Sequence, residues 1–335
     1  MKAIRLQGSG GLERLTVVEM DEPVAPQEGE ILVRLHASSL NYHDYLVALG
    51  KISTADGLIP LSDGAGIVER IGEGVRDFAV GDHIVSCFFP EWQNGEAVSF
   101  GFAKTPGDGL DGYAREMVVR PANWFTRAPK NYRHTEAATL TTAGLTAWRA
   151  LVSDGPLKAG ETVLTLGTGG VSIFALQFAK MMGALTIVTS SSDEKLARAR
   201  ALGADHTINY KKYPNWADRV LDRTDGRGVD HVIEVGGPDT LPQSISACRI
   251  GGHIALIGVL TGFSGPIPTV ALLTRQVRLQ GLTVGNRRQQ IEMIRALDAN
   301  DMKPVIDKTF PLQDLIEAFR YEASGAHFGK ICIEV

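Results

Sequence analysis

The chain has 335 residues, a length that favours two domains with separate hydrophobic cores. Lys and Arg total 34 and Asp and Glu total 38, and the resulting net charge of −4 gives no electrostatic signature of nucleic-acid binding. The three cysteines (Cys87, Cys248 and Cys332) are too few and too dispersed for a disulfide framework or a zinc cluster of Cys-x-x-Cys pairs.

The first 129 residues have the pattern of an irregular, mostly antiparallel β domain. Short apolar or partly alternating runs between turns rich in Gly and Asp predict strands at 30–35, 66–72, 81–86 and 113–119. The segment from Phe88 to Gly112 is dense in Gly, Pro and aromatic residues, among them Trp92, Phe100 and Phe102, and it exceeds the usual length of a loop. We expect a lobe or lid there.

After His134 the pattern changes to alternating helices and strands. A helical pattern covers Ala137 to Val152, and short apolar runs follow, most of them separated by amphipathic helices. The runs lie at 162–166, 185–189, 206–209, 230–235, 253–257 and 279–284. The fold class is therefore α/β, with a doubly wound parallel sheet of six strands.

The C-terminal part returns to shorter elements. We predict a helix at 286–300, a strand at 305–309, a helix at 312–323 and a strand at 330–335. We expect these elements to rejoin the first domain. The predicted domains are thus residues 1–129 with 286–335, and residues 130–285.

A glycine-rich turn follows the first run of the parallel part. Gly167 permits a tight turn, and Gly169 allows close approach of a pyrophosphate to the backbone. Gly170 and Val171 then open a helix whose free N–H groups would face that anion. Ser172 replaces the third glycine of the dinucleotide fingerprint, but serine is small enough for near-normal packing of helix on strand.

The end of the second run bears on which dinucleotide binds. An NAD enzyme usually presents a carboxylate there, whereas this chain has Ser190 and Ser191, with Lys195 one helical turn further on. Hydroxyl groups and a cation favour the 2′-phosphate of NADP(H). Ser191 and Glu194 also have a structural interpretation, as the capping box of the next helix.

Taken together in chain order, several motifs resemble the medium-chain dehydrogenase/reductase superfamily across nearly the whole chain. They are Ser39 to Asp44, Pro60 to Val68, Val80 to Val85, Gly112 to Glu116, Thr142 to Ala147 and the turn at Gly167. The resemblance implies a GroES-like, mostly β catalytic domain, an inserted Rossmann domain and a substrate cleft between them.

The departures from that superfamily concern zinc. Its zinc-dependent members have Cys where this chain has Asn41, His where it has Ser62, and Cys or another ligand where it has Thr142. The four cysteines of their structural zinc lobe are missing from the Phe88 to Gly112 segment. The chain therefore resembles the zinc-independent quinone oxidoreductase or zeta-crystallin branch, in which NADPH is the usual cofactor and Tyr210 resembles a further contact on the phosphate side.

Without a metal, the negative charge that forms on a reduced carbonyl needs hydrogen-bond donors or a proton. Asn41 through its amide, Tyr42 through its phenol and His43, at the proton-relay position of the zinc relatives, are the catalytic candidates. Each also has a structural interpretation. Asn41 would cap a helix at 42–49, Tyr42 would fill core, and His43 would be an exposed residue of the first turn.

The nicotinamide end of the cofactor should meet the carboxyl ends of the later strands. This singles out Gly236, Gly258, Val259 and Thr283, with Thr142 near the ring, although the glycines also fit ordinary strand-end turns. By resemblance, the last run at 279–284 would be an edge strand that pairs with its copy in a homodimer.

The leading hypothesis is a zinc-independent, NADP(H)-dependent oxidoreductase acting on a quinone, an enone or a related activated carbonyl. One alternative is a metal-free alcohol dehydrogenase or ketone reductase, and another is a non-enzymatic NADPH-binding structural or sensing protein. No apolar run is long enough to cross a bilayer, and the first residues lack the apolar stretch of a signal peptide. We expect a cytoplasmic protein with a small-molecule substrate and neither nucleic-acid nor membrane partners.

Overall fold

The computed structural model describes residues 1–97 and 102–335. Phe100, which we placed in the predicted lobe, lies outside the described residues. The chain forms two compact units: one comprises Met1–Leu145 with Gly285–Val335, and the other comprises Thr146–Val284. Residues 130–145, which the pattern grouped with the parallel sheet, belong to the first of these units.

Strands and helices are numbered along the chain. The strands are β1 (Lys2–Leu6), β2 (Leu15–Glu19), β3 (Glu30–Ser39), β4 (Ala65–Ile71), β5 (His83–Ser86), β6 (Met117–Pro121), β7 (Phe125–Arg127), β8 (Thr162–Leu166), β9 (Leu185–Ser190), β10 (His206–Asn209), β11 (Val229–Glu234), β12 (Cys248–Leu256), β13 (Arg278–Gly281), β14 (Ile306–Pro311) and β15 (Lys330–Glu334). The helices are α1 (Tyr42–Ala48), α2 (His134–Ala138), α3 (Leu145–Trp148), α4 (Gly170–Met181), α5 (Asp193–Ala201), α6 (Trp216–Asp222), α7 (Leu241–Ala247), α8 (Thr269–Thr274), α9 (Arg287–Asn300) and α10 (Leu315–Ala323).

The first unit is built around the long strand β3. Its main sheet has the order β14-β15-β3-β4-β5-β7, β6 also pairs with β3, and β1 and β2 form a separate antiparallel ribbon. Of the strand pairs described in this unit, β14 and β15 alone run parallel. Because β15 pairs antiparallel with β3, the end of the chain lies beside the strand that leads into α1, with Cys332 opposite Ser39.

The second unit is the predicted doubly wound sheet. Its strand order is β10-β9-β8-β11-β12-β13, and each neighbouring pair is parallel. The central strands β8 and β11 are buried along their whole length. β8 is apolar apart from its threonines, whereas β11 also buries Asp230, His231 and Glu234, whose side chains are hydrogen-bonded. The last strand ends at Gly281 and is therefore shorter than the predicted run at 279–284.

The predicted helix at 137–152 is interrupted. Two wider π-helical turns, Leu140–Gly144 and Arg149–Ser153, flank the short helix α3. Such turns occur often at functional sites, and Thr142 lies in the first of them. In residues 1–97 and 102–335, no helix combines the length and the apolar character needed to span a membrane.

Candidate active site

Asn41 is the residue that precedes α1, between the end of β3 and the first helical turn. The carboxylate of Asp44 accepts the backbone N–H of Asn41 at 3.0 Å, the reciprocal contact of a capping box. Asp44 also accepts the backbone N–H and the hydroxyl of Ser62, both at 3.0 Å. Asp44 is fully buried, and these donors explain how a carboxylate is tolerated there.

The side chain of Asn41 belongs to a buried hydrogen-bonded network. Its Nδ2 donates to Oδ2 of Asp44 and to Oδ2 of Asp63, each at 3.0 Å. Its Oδ1 accepts from the ammonium of Lys330 at 2.7 Å. Because an ammonium can only donate and carboxylates accept here, the partners fix which amide atom is oxygen and which is nitrogen.

This geometry corrects the expected role of Asn41. Both hydrogens of the amide are directed at carboxylates and its oxygen accepts from Lys330, so no amide donor is left for a substrate oxygen. The structural interpretation of Asn41 as a helix cap agrees with its position before α1. Asn41 therefore organises the site and does not itself supply the donor.

Asp63 links this network to Thr142. The hydroxyl of Thr142 donates to Oδ1 of Asp63 at 2.6 Å, and the hydroxyl of Ser39 donates to its Oδ2 at 2.5 Å. The ammonium of Lys330 lies 3.7 Å from Oδ2 of Asp63. Complete burial raises the pKa of Asp63, with Lys330 and the two hydroxyl groups acting in the opposite direction. Thr142 is only half-buried, so its hydroxyl is the more accessible end of the network.

Glu322 adds another carboxyl group beside Lys330. Burial raises its pKa to about 8, so this group is mostly protonated at neutral pH. Its Oε2 is buried and makes no hydrogen bond within the described part of the chain. The carboxylate that the described contacts place in ion-pair range of Lys330 is that of Asp63.

The residues at the expected zinc positions do not fit a zinc ion. Asn41, Ser62 and Thr142 offer amide and hydroxyl groups, whereas zinc favours thiolate, imidazole and carboxylate ligands. All three side chains are already hydrogen-bonded to Asp44 or Asp63. The ammonium of Lys330 would also repel a metal cation at this place. The described residues contain no group of three or more His, Cys, Asp or Glu side chains arranged to hold a metal.

His43 lies in the first turn of α1 and is mostly buried, with 18% of its side chain exposed. Its Nε2 contacts Oδ2 of Asp108 at 3.0 Å, and the rings of Phe88 and Phe102 pack against the imidazole. The burial of the ring opposes protonation, but the nearby carboxylates, Asp108 first among them, outweigh it and raise the pKa of His43. The interpretation of His43 as an exposed surface residue is therefore wrong.

Tyr42 has a different environment from its neighbour. Its side chain is 39% exposed and its ring lies 6.1 Å from that of Tyr45. The interpretation of Tyr42 as a core residue is wrong. Of the two candidates that could give up a proton, His43 and Tyr42, His43 is the one for which the described contacts include a carboxylate partner.

In the second unit, the glycine-rich turn has the predicted strand–turn–helix context. β8 ends at Leu166, Gly167 has the positive φ of +73°, and α4 begins at Gly170 with Gly169 as its cap. The buried hydroxyl of Ser172 donates to the carbonyl of Leu166 at 2.7 Å, which explains how serine replaces the third glycine. Gly170 and Val171 remain half-exposed at the helix N-terminus, as a pyrophosphate site requires.

The end of β9 gathers the residues predicted to face the adenosine ribose. The backbone N–H of Tyr210 donates to the carbonyl of Ser190 at 3.1 Å, so Tyr210 lies beside that serine. Ser191 follows it, and Lys195 lies in the first turn of α5. The cap of α5 is Ser192, whose hydroxyl accepts from the backbone of Lys195, so the predicted capping box of Ser191 and Glu194 is wrong.

Asp193 was not singled out by the sequence pattern, although it lies beside these residues. Its carboxylate accepts from the ammonium of Lys212 at 2.6 Å and from the amide of Asn209 at 2.8 Å. The bond from Lys212 lowers the pKa of Asp193, and that from Asn209 adds to the effect. The one acidic side chain that follows the serines directly is thus engaged by a cation. The only sequence signal was the Lys211-Lys212 pair after β10.

The glycines at the ends of β11 and β12 are required by packing. A side chain on Gly258 would come within 1.9 Å of the carbonyl oxygen of Val235, and one on Gly236 would clash with Thr240. The buried carboxylate of Glu234 accepts the N–H of Gly236 at 2.8 Å and shapes this turn. No motif in the sequence predicted that role for Glu234.

Val259 and Thr283 follow the ends of β12 and β13 by a few residues. Val259 follows Gly258 and is half-buried, and Thr283 is exposed two residues after β13. The carbonyl of Thr283 accepts from the guanidinium of Arg149 at 3.3 Å. Their contact with a cofactor stays a prediction.

Two family models match the chain: residues 27–130 match the alcohol dehydrogenase GroES-like domain, and residues 170–299 match the zinc-binding dehydrogenase domain. A zinc-type alcohol dehydrogenase-like protein of Schizosaccharomyces pombe is 42% identical over 334 residues, which cover 97% of this chain and 96% of that protein. A 2-haloacrylate reductase of Burkholderia sp is 28% identical, with 92% of both chains covered.

Solved structures of alcohol dehydrogenase-like and quinone oxidoreductase proteins are also similar to this chain. The crystal structure of an alcohol dehydrogenase candidate from Sinorhizobium meliloti 1021 has a TM-score of 0.94 and 42% identity, covering 100% of this chain and 98% of its own. A quinone oxidoreductase from Pseudomonas syringae pv. Tomato DC3000 has a TM-score of 0.83 and 27% identity, covering 100% and 99%.

The chain therefore belongs to the medium-chain dehydrogenase/reductase superfamily, with its GroES-like and Rossmann domains. Within that class it is an NAD(P)-dependent oxidoreductase of the alcohol dehydrogenase-like kind.

Proposed function

We propose that this protein is a zinc-independent, NADPH-preferring reductase of quinones, enones or related activated carbonyl compounds. The observation that carries the proposal is the Lys330-Asn41-Asp63-Thr142 network at the positions where zinc-dependent relatives hold their metal. Hydrogen bonds among these side chains already use the groups that would otherwise face a ligand. An ammonium, and not a metal ion, supplies the positive charge there.

The missing Lewis acid restricts the substrate class. Bound nicotinamide dinucleotide would supply the hydride, and the substrate oxygen would then gain negative charge. Quinones and enones delocalise that charge through conjugation, whereas a simple ketone depends fully on donors from the protein. A quinone oxidoreductase and a 2-haloacrylate reductase among the relatives support this substrate class.

The residues around β9 support a preference for the phosphorylated cofactor. The backbone N–H of Tyr210 is bonded to the carbonyl of Ser190, Ser191 follows that serine, and Lys195 in the first turn of α5 supplies a cation. The carboxylate of Asp193 is engaged by Lys212 and Asn209. We infer that the 2′-phosphate of NADPH contacts the serines, Lys195 and Tyr210, with the pyrophosphate at Gly167 to Val171.

His43 is the side chain best suited to provide a proton. It is held by a carboxylate, its pKa is raised, and it lies in the same helical turn as the Asp44 carboxylate that anchors Asn41. A general acid of this kind also favours a second candidate function, the reduction of saturated ketones, for which a protein-derived proton is indispensable.

We further propose that a second copy of this chain covers the edge of the parallel sheet. β13 is the terminal strand, and among the described residues it pairs with β12 alone. Large apolar side chains are exposed in the segment that leads into it, namely Leu260, Phe263, Ile267, Val270 and Leu273. Pairing of two β13 edges would bury both the open strand and this apolar segment.

The test is a substrate panel assayed with protein whose metal content has been measured. NADPH oxidation is followed with quinones, enones, saturated ketones and, in the reverse direction, alcohols with NADP. The proposal predicts turnover of the first two classes by metal-free protein. Turnover confined to alcohols and ketones would favour the second candidate, and tight NADPH binding without any turnover would overturn both.

A further inference from the structure

The partner of His43 comes from a distant part of the chain. Asp108 lies in the turns that follow the short helical turn Phe102–Lys104, 65 residues beyond His43. Its carboxylate is 7% exposed, and Oδ2 contacts Nε2 of the imidazole at 3.0 Å. No pattern in the sequence connects the two residues.

The surroundings leave one ring nitrogen of His43 uncommitted. Phe102 stacks on the imidazole with centroids 5.2 Å apart, and Phe88 meets it edge-on at 5.5 Å. Nε2 is occupied by Asp108, while Nδ1 is buried and has no hydrogen-bond partner among the residues described. A buried polar atom without a partner is unusual in a folded protein and marks a place where a ligand atom can complete the site.

We propose that Asp108 is a positioning residue, which holds the imidazole of His43 at Nε2 so that Nδ1 can give a proton to the substrate. This inference rests on the proposed function, because it concerns the proton that follows hydride transfer. It adds a residue from the Phe88 to Gly112 segment to the reaction. The contact of Asp108 with Nε2 leaves only Nδ1 free to face a substrate oxygen.

The proposed step is balanced in atoms and charge. Hydride adds to the substrate carbon, and the displaced π electrons move to the carbonyl oxygen. The N–H bond at Nδ1 breaks and an O–H bond forms at that oxygen, which leaves a neutral imidazole whose Nε2–H still donates to Asp108. Asp108 remains a carboxylate throughout, and water returns a proton to Nδ1 after the product leaves.

The charged groups that face His43 all raise the pKa of its imidazole. Asp108, Asp44 and Asp63 all favour the imidazolium, against the cost of burying it, and the neighbouring Phe88 and Phe102 rings are uncharged. Among residues 1–97 and 102–335, Asp108 is the one carboxylate in hydrogen-bond contact with the ring. Removal of the Asp108 carboxylate should therefore lower the pKa of His43 more than removal of either of the other two carboxylates.

The test compares Asp108→Asn with the unmodified holoenzyme on an enone, on a saturated ketone if turned over, and on a quinone, across pH 5 to 10. The asparagine keeps the shape of the side chain and removes its charge. We expect the descending limb of the kcat/KM profile for the enone to move to lower pH by about one to three units. At pH 8 the loss should be about ten-fold or more, within the range of a general acid. The quinone rate should change little, because a reduced quinone can take its proton from water.

Two further variants separate positioning from folding. Asp108→Glu should restore much of the enone rate and the original pH limb. In the His43→Ala background, Asp108→Asn should have no further effect on the enone. Equal losses on all substrates, an unmoved pH limb or additive effects of the two substitutions would overturn the proposal and leave Asp108 as a loop anchor.

A direct titration keeps the proposal testable if Asp108→Asn does not fold. Imidazole NMR of the unmodified protein, with the His43 signal assigned from a His43→Gln variant, should give a pKa above the ordinary value of about 6.5. A value below it would contradict the proposal. If no activated carbonyl is reduced by the unmodified enzyme, the proposed function fails. If they are reduced but Asp108→Asn behaves as the parent, only this inference fails.

Discussion

The ammonium of Lys330 lies 2.7 Å from Oδ1 of Asn41, although 289 residues separate the two along the chain. The contact arises because β15, which begins at Lys330, pairs with β3, which leads into Asn41. Lys330 also donates to the carbonyl of Leu40 at 2.5 Å and lies 3.7 Å from Asp63. One buried cation thus fixes the amide and the carboxylate at the predicted centre of the reaction.

Substitution of Lys330 by methionine should destabilise the protein strongly. It would leave the buried Asp63 without its cation and Oδ1 of Asn41 without its donor. Removal of one partner of a buried ion pair costs about 3–5 kcal/mol. Denaturant unfolding of the isolated variant measures this loss, with Lys51→Met, at an exposed position, as the control. A change below about 0.5 kcal/mol would show that Lys330 is not needed to balance Asp63.

NADPH should bind more tightly than NADH. Lys195→Ala should weaken NADPH binding by about 1.5–3 kcal/mol, the worth of a charge-assisted hydrogen bond, and hardly change NADH binding. Titration calorimetry with both cofactors measures the difference. The control is Lys158→Ala, which removes the same charge at an exposed position of the second unit. Equal affinities of the unmodified protein for the two cofactors would contradict the assignment.

The two acid candidates can be distinguished by their pH dependence. A group that acts as an acid loses activity as the pH rises through its pKa. For His43 that loss should occur above pH 6.5, because its pKa is raised, whereas for an ordinary tyrosine it would occur near pH 10. His43→Ala should lower ketone or enone turnover by about 10²–10⁴-fold with unchanged cofactor affinity.

Tyr42→Phe is the matched comparison on the same helix. Tyr42 is 39% exposed, and the described contacts give it no carboxylate partner. We therefore expect nearly full activity from this variant. If Tyr42→Phe loses activity and His43→Ala keeps it, the assignment of the acid to His43 is wrong. If both keep full activity on every substrate class, no side chain of this turn is the acid.

The parallel sheet was predictable because each of its strands carries its own signal. Thr162–Leu166 and His206–Asn209 are strands with the predicted bounds. The first is a buried run of apolar and β-branched residues, and the second is a short run at the sheet edge with β-branched residues at its centre. Strands β1, β2 and β7 were not predicted. β1 and β2 carry exposed and charged residues at several positions, and β7 has only three residues, so none shows a clear alternating pattern.

The candidate site was predictable only where it follows a local motif. The turn at Gly167 and the serines after β9 lie where the strand–turn–helix pattern puts them. Lys330 and Asp108 were not predicted, because their roles depend on strand pairing and loop packing between residues far apart in sequence. The amide of Asn41 was expected to face a substrate, and only its three-dimensional partners show that its hydrogens are already used.

The open edge of β13 predicts self-association. Val270 and Leu273 are 72% and 75% exposed in the segment before that strand. A double Val270→Glu, Leu273→Glu variant should be monomeric, because it places charges where two apolar surfaces would meet. Sedimentation measures the mass, with Val24→Glu as the control at an exposed apolar position of the first unit. A monomeric unmodified protein would contradict the pairing of two β13 edges.

We propose that hydride transfer in this protein needs no zinc. This independence from zinc is tested most directly by measuring metal content and NADPH-dependent enone or quinone reduction on the same purified sample, before and after treatment with a chelator. We predict far less than one zinc per chain and an unchanged rate, because Asn41, Ser62 and Thr142 are bound to Asp44 and Asp63. One zinc per chain, with activity lost on its removal and regained on its return, would contradict the account.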